Sequence, residues 1–185
     1  KFAKDYLDVN ERAIENIKNI IDEENIKCDF EYQNNYIYTT NKNNLHLIKN
    51  EIKAIEDLEY NCEFVTKVGL PFKIEGAICF KNQAQFNPLK YLSGLIKSIT
   101  TVFDIKQDGS NYITYSKDIE VKSKYVIVAT HYPFINFPGF YFAKMYQSTS
   151  YLIAVDPKKT LFKGMYISVD NPIFSFRTTK YNSKN

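Results

Sequence analysis

Few side chains in this sequence invite a chemical role, and each also has a plain structural explanation. Arg177 follows the apolar run from Ile173 to Phe176, and its planar fork of donors is suited to a carboxylate. A salt bridge at a strand end explains it at least as well. Tyr141, Tyr146, Tyr151 and Tyr166 offer aromatic faces that attract an amine cation, or they pack in an ordinary sheet. His131 and His46 are the two histidines. His131 could exchange a proton near neutral pH or simply pack at a strand end, whereas His46 falls among polar helical positions. No Ser-His-Asp or Cys-His arrangement stands out, so hydrolase chemistry has no support. The cysteines Cys28, Cys62 and Cys79 are odd in number, widely spaced and without a C-x-x-C pair. That pattern argues against a disulfide framework or a zinc site and fits a reducing cytoplasm.

Composition bounds the classes further. The 185 residues suffice for one large domain or two small ones, and 44% hydrophobic with 24% charged describes a globular chain. The net charge of +3 is too small and too dispersed for a nucleic-acid footprint. No apolar run reaches membrane-spanning length and no signal peptide opens the chain, so neither a membrane nor nucleic acid is an expected partner. The aromatic share is high at 16%, which favours strands and aromatic-lined surfaces.

The elements that must position these residues follow from periodicity. Ala13, Ile14, Ile17, Ile20 and Ile21 give residues 10–24 a helical stripe, with Asp8 and Glu11 as a cap arrangement. Residues 28–40 read as strand pairing around an Asn34-Asn35 turn. Leu45, Ile48, Ile52 and Ile55 mark a second helix capped by Asn43 or Asn44. Residues 63–66 and 77–80 read as short strands. Asn87-Pro88 starts a third helix whose buried face is Leu89, Leu92, Leu95, Ile96 and Ile99. Residues 101–106 and 112–115 form a hairpin about Asp108-Gly109. The wholly apolar run 125–129 reads as a strand covered on both faces, and residues 151–155, 165–169 and 173–176 as further strands. The fold class expected is α+β, a mixed architecture with a sheet-rich second half. The helix ending near Ile99 meets the next strand without a turn, which suggests residues missing between Ile99 and Thr100.

Three stretches carry a family likeness: Gln83-Ala84-Gln85-Phe86-Asn87-Pro88-Leu89-Lys90-Tyr91-Leu92, then Thr101-Val102-Phe103-Asp104-Ile105, then Lys124-Tyr125-Val126-Ile127-Val128-Ala129-Thr130-His131-Tyr132-Pro133. In order and spacing they resemble the D-amino-acid oxidase family of FAD-dependent oxidoreductases, which includes glycine, sarcosine and glutamylputrescine oxidases. Residues 148–154, Gly164-Met165-Tyr166 and Ser175-Phe176-Arg177 continue in the same order.

The resemblance implies a parent enzyme that oxidises the C–N bond of an amine or amino acid by hydride transfer to FAD. It implies cofactor contacts at Val102, Ala129, Thr130 and His131, and substrate contacts at Arg177, Tyr146 and Tyr151, with no metal. It divides the chain into a helical segment (1–27), a first part of a substrate-domain antiparallel sheet (28–86), a partial FAD-binding domain (87–135) and a second part of the substrate sheet (136–185). Residues 151–155 are then expected beside 77–80 or 36–39. None of the six glycines forms G-x-G-x-x-G, so the chain as given is expected to be a central fragment holding no FAD, with the remainder of the FAD domain of the same parent as its partner. The alternative is a non-catalytic α+β binding module with an aromatic-rich sheet.

Overall fold

The computed structural model describes residues 2–96, 101–136, 139–156 and 162–179. The chain is a mixed α+β fold in two units, one formed by Lys1–Ile96 with Asp156–Asn185 and the other by Lys97–Val155.

The first unit is organised by one strand. β1 (Glu31–Thr39) lies between β3 (Gly76–Gln85), to which it is antiparallel, and β7 (Met165–Ser168), to which it is parallel. β2 (Glu63–Val65) and β8 (Ser175–Arg177) complete the order β2-β3-β1-β7-β8. Side chains alternate across a strand, so β1 divides its residues between two cores. Tyr36 and Tyr38 stand opposite Cys79 and Ala77 on one face, and Ile37 stands opposite Ile78 on the other.

The Tyr38 face packs against Leu70, Ile74, Ala77 and Tyr166, with Tyr36, Val65, Val68, Phe162 and Phe176 around them. Tyr36 and Tyr166 stack with ring centroids 4.8 Å apart. The Ile78 face is covered by α2 (Leu45–Glu56) through Ile48 and Ile55. Full burial of side chains such as Ile48 and Ile78 stabilises by ~1.5–3 kcal/mol each. Exposed pairs such as Lys73–Glu75 contribute little by comparison.

A third core forms where α1 (Phe2–Glu23) sets Ile17, Ile20 and Ile21 against Ile26, Cys28, Phe30, Phe86 and Tyr91. Helix α3 (Pro88–Leu95) joins it closely, since a Cβ at Gly94 would sit 2.6 Å from Ile26. Asn87 caps α3 as its sequence predicts, its Oδ1 accepting from the amides of Leu89 and Lys90 at 3.1 Å.

Several expectations are corrected. Helix α1 begins eight residues before the predicted Asn10, so Asp8 is internal; Phe2, Tyr6 and Val9 continue the stripe and no breaker interrupts it. Asn34-Asn35 makes a bulge inside β1 rather than a turn. The start of α2 is prepared by a 3-10 turn at Lys42–Asn44, capped by Asn41. Asn44 makes no cap bond and instead reaches Asp170. The face of α3 expected to be buried is exposed at Leu89, Leu92, Leu95 and Ile96, and Ile99 and the Ile99–Thr100 junction lie outside the described residues.

The second unit contains an antiparallel sheet of β4 (Val102–Asp108), β5 (Asn111–Ser116) and β6 (Glu120–Ser123). The predicted Asp108-Gly109 turn is present, with Gly109 at φ +60. Neither residues 125–129 nor residues 151–155 form a strand, against expectation. The position beside β1 that 151–155 was expected to compete for is held by β7.

Within the first unit, Asp170 closes the corner where β1 ends and α2 is prepared. Its carboxylate accepts from the Thr39 hydroxyl, from the Thr40 amide at 2.8 Å and hydroxyl at 2.9 Å, and from the Asn44 amide group at 3.0 Å. Burial pushes its pKa up, but these hydrogen bonds outweigh burial and hold it below the ordinary 3.8. Replacing Asp170→Ala strands several donors and is expected to cost ~1–3 kcal/mol at pH 7. A depressed carboxyl pKa contributes stability that is complete above the unfolded value and is lost as pH falls through the folded value. The difference between wild type and Asp170→Ala in urea denaturation is therefore expected to shrink below pH 3.8. A pH-independent difference would show that the carboxylate charge is not what stabilises this corner.

Candidate functional site

A cleft of the first unit opens at the β1 bulge. It encloses about 250 Å³ and is lined by Tyr32, Gln33, Asn34, Tyr36, Asn82, Lys163 and Gly164. The bulge, the left-handed Asn82 (φ +57) and Gly164 (φ +104) bend three segments around this space. Asn34 donates to the Tyr36 hydroxyl at 3.3 Å, and burial pushes the Tyr36 pKa up. The lining offers amides, two phenols and one ammonium group. It can hydrogen-bond a small polar group, but it pairs no nucleophile with a base.

A smaller cleft of about 40 Å³ lies beside Arg177, lined by Asp29, Glu31, Gln85, Phe86, Asn87, Thr178 and Thr179. That is room for water rather than for an amino acid. Gln85 donates to Glu31 at 2.6 Å and to the Thr178 carbonyl at 2.9 Å, while its own buried Oε1 has no protein partner. Lys90 pairs with Asp29 at 2.6 Å. Arg177 itself ends β8, opposite Met165.

The other expected site residues all fall in the second unit. Val102 opens β4 and pairs with Ser116. Ala129, Thr130 and His131 lie in an exposed, irregular segment. Tyr146 and Tyr151 are almost fully exposed. Tyr166, by contrast, is a core residue of the first unit, its hydroxyl donating to the Lys163 carbonyl at 2.7 Å.

The cysteines are dispersed among the cores. Cys28 is buried with Ile21 and Ile26, Cys62 packs on the α2 side of the sheet, and Cys79 lies opposite Tyr36 on the other side. Burial pushes the Cys62 and Cys79 thiols up, which favours their neutral form. His46 sits in the first turn of α2, with Nδ1 2.6 Å from the Asn43 carbonyl. Among the described residues, no group of three or more His, Cys, Asp or Glu is placed to hold a metal ion.

Comparison with known proteins gives one relative to set beside this geometry. A protein of Bacillus subtilis (strain 168), described as "Putative Rieske 2Fe-2S iron-sulfur protein YhfW", is 34% identical over 192 aligned residues. The chain is similar to part of an iron–sulfur protein. The match covers 98% of this chain and 38% of the relative, so the chain spans well under half of that protein's length. No family model matches, and no solved structure matches.

This finding corrects the oxidase reading. The relative is named for a 2Fe-2S cluster rather than a flavin, so FAD, amine oxidation and membership of the D-amino-acid oxidase family give way to it. The binding-module alternative gains no support from it. The motifs that carried the earlier resemblance were short. Val-Ile runs and Asn-Pro helix starts recur in many folds, and an alignment over nearly the whole chain outweighs them. The structure adds a physical reason. A dinucleotide crevice forms at the carboxyl ends of a parallel sheet, whereas the described strands of the second unit are antiparallel.

A Rieske centre needs two cysteine and two histidine ligands, and the residues present do not fit one. Among the described residues no three His, Cys, Asp or Glu side chains are placed together to hold a metal, and Cys28 is buried in a core apart from Cys62 and Cys79.

The bulge cleft depends on Gly164. At φ +104, a Cβ there would lie 2.9 Å from the Tyr36 ring and 3.1 Å from the Asn34 carbonyl. Gly164→Ala is expected to destabilise by ~1–3 kcal/mol in chemical denaturation. An unchanged midpoint would show that the backbone at the cleft adapts freely.

Proposed function

We propose that this chain is a cluster-free portion of a Rieske-type iron–sulfur electron-transfer protein, and that the cluster is held by the rest of that protein. One observation carries the reading: similarity spans 98% of this chain and 38% of an iron–sulfur relative, while the cysteines and histidines here are dispersed. The portion described here supplies a folded scaffold, and the redox centre lies outside it.

Among the described residues no helix is long and apolar enough to cross a membrane. We place the protein in the cytoplasm, a reading supported by three cysteines that are all free. The dispersed net charge of +3 favours neither nucleic acid nor a membrane surface as partner. The partner we assign is the remainder of the same polypeptide.

Iron and acid-labile sulfide analysis of the full-length protein tests both halves of the reading. The expected result is two irons per chain, unchanged in Cys28→Ser, Cys62→Ser, Cys79→Ser and His131→Ala variants. A full-length protein without iron would refute the Rieske assignment. Loss of iron from any one of those variants, with the protein still folded, would place the cluster on this chain instead.

A further inference from the structure

Residues 125–155 have the composition of protein interior. Across them Lys144 is the lone formal charge, in a chain that is 24% charged. The two ends of this stretch are the most apolar: Tyr125 to Ala129, and Tyr151 to Val155. Both are rich in residues that favour strands, and neither alternates apolar with polar. A run apolar on both faces is the pattern of a strand covered from both sides.

In this chain they are uncovered. Ile127 is 88% exposed, Tyr151 93%, Leu152 91% and Ile153 86%. Among the described residues neither run enters a sheet. Single exposed apolar side chains are ordinary, but contiguous apolar runs on a soluble surface mark an interface. Strand-forming sequence without ladder partners is, in addition, a template for strand addition.

We propose that residues 125–129 and 151–155 are strands of a sheet completed by the remainder of the same polypeptide. The occupant is named by the length of chain outside this structure: 62% of the relative's length lies beyond the matched part, the complement of the 38% that is covered. Association within one polypeptide is favoured over a separate partner because the tether holds the effective concentration high. The inference rests on the reading that this chain is part of a longer protein, and not on which cofactor that protein carries.

Amide hydrogen exchange by mass spectrometry on the full-length protein, with iron content measured on the same sample, is the test. Amides of residues 126–129 and 152–155 are expected to exchange at least about 100-fold more slowly than an unstructured peptide. Ile127→Asp and Ile153→Asp are expected to abolish that protection locally and to increase dye binding to exposed apolar surface. Ile119→Asp, at the turn between β5 and β6, should leave it unchanged. Exchange at peptide rates in the full-length protein would overturn the proposal. Protection that disappears on dilution, together with a dimer, would also overturn it, by naming a second copy as the occupant. Protection in a protein that contains no iron would sustain this inference while refuting the Rieske reading, so the two fail separately.

Discussion

β1 carries apolar or aromatic side chains on both faces, and each face must be covered at once. Tyr36 and Tyr38 require an apolar layer built from Tyr166, Leu70 and Ile74, while Ile37 requires α2. Because the side-chain period is two, a one-residue slip of β1 would exchange these sets and empty both cores. The register against β3 and β7 is thereby fixed from both sides. Asp170 then closes the corner where β1 ends and α2 is prepared, satisfying hydroxyl and amide donors with one carboxylate. The bulge cleft is a product of the same arrangement, since it opens where the β1–β3 register shifts.

The two units contrast in how far their sequences are satisfied. In the first, the apolar faces of α1, α2, β1 and β3 find buried layers. In the second, the three-stranded sheet is paired internally, yet the apolar stretch that follows it lies open. The physical tension is local: strand-forming, uncharged sequence with no ladder. It is the kind of conflict that disappears when the missing neighbours are supplied.

Much of the fold was legible in the sequence. The α3 start at Asn87-Pro88, the Asp108-Gly109 hairpin and the α2 stripe each follow from a local rule, and local rules need only neighbours in sequence. The errors occurred where tertiary context decided. Asn34-Asn35 could not be told from a turn without knowing that β3 runs opposite it. The run at 125–129 has a strand's composition, but strand pairing needs a partner that these residues do not meet. For the site, single side chains were found but not their company. Arg177 was singled out as a cation, and the Asp29, Glu31 and Gln85 around it come from segments far away in sequence. The functional class was not legible. Short motifs in the right order pointed to a flavoenzyme, and only the similarity over nearly the whole chain corrected that.

The most direct test is a crystal structure of the full-length protein with anomalous scattering recorded at the iron absorption edge, which locates the irons independently of the chain trace. The account predicts two adjacent irons bound by cysteine and histidine residues outside this chain, with Cys28, Cys62, Cys79 and His46 keeping the packing described here. Iron coordinated by any of those residues or by His131, or a structure with no iron signal at all, would contradict it.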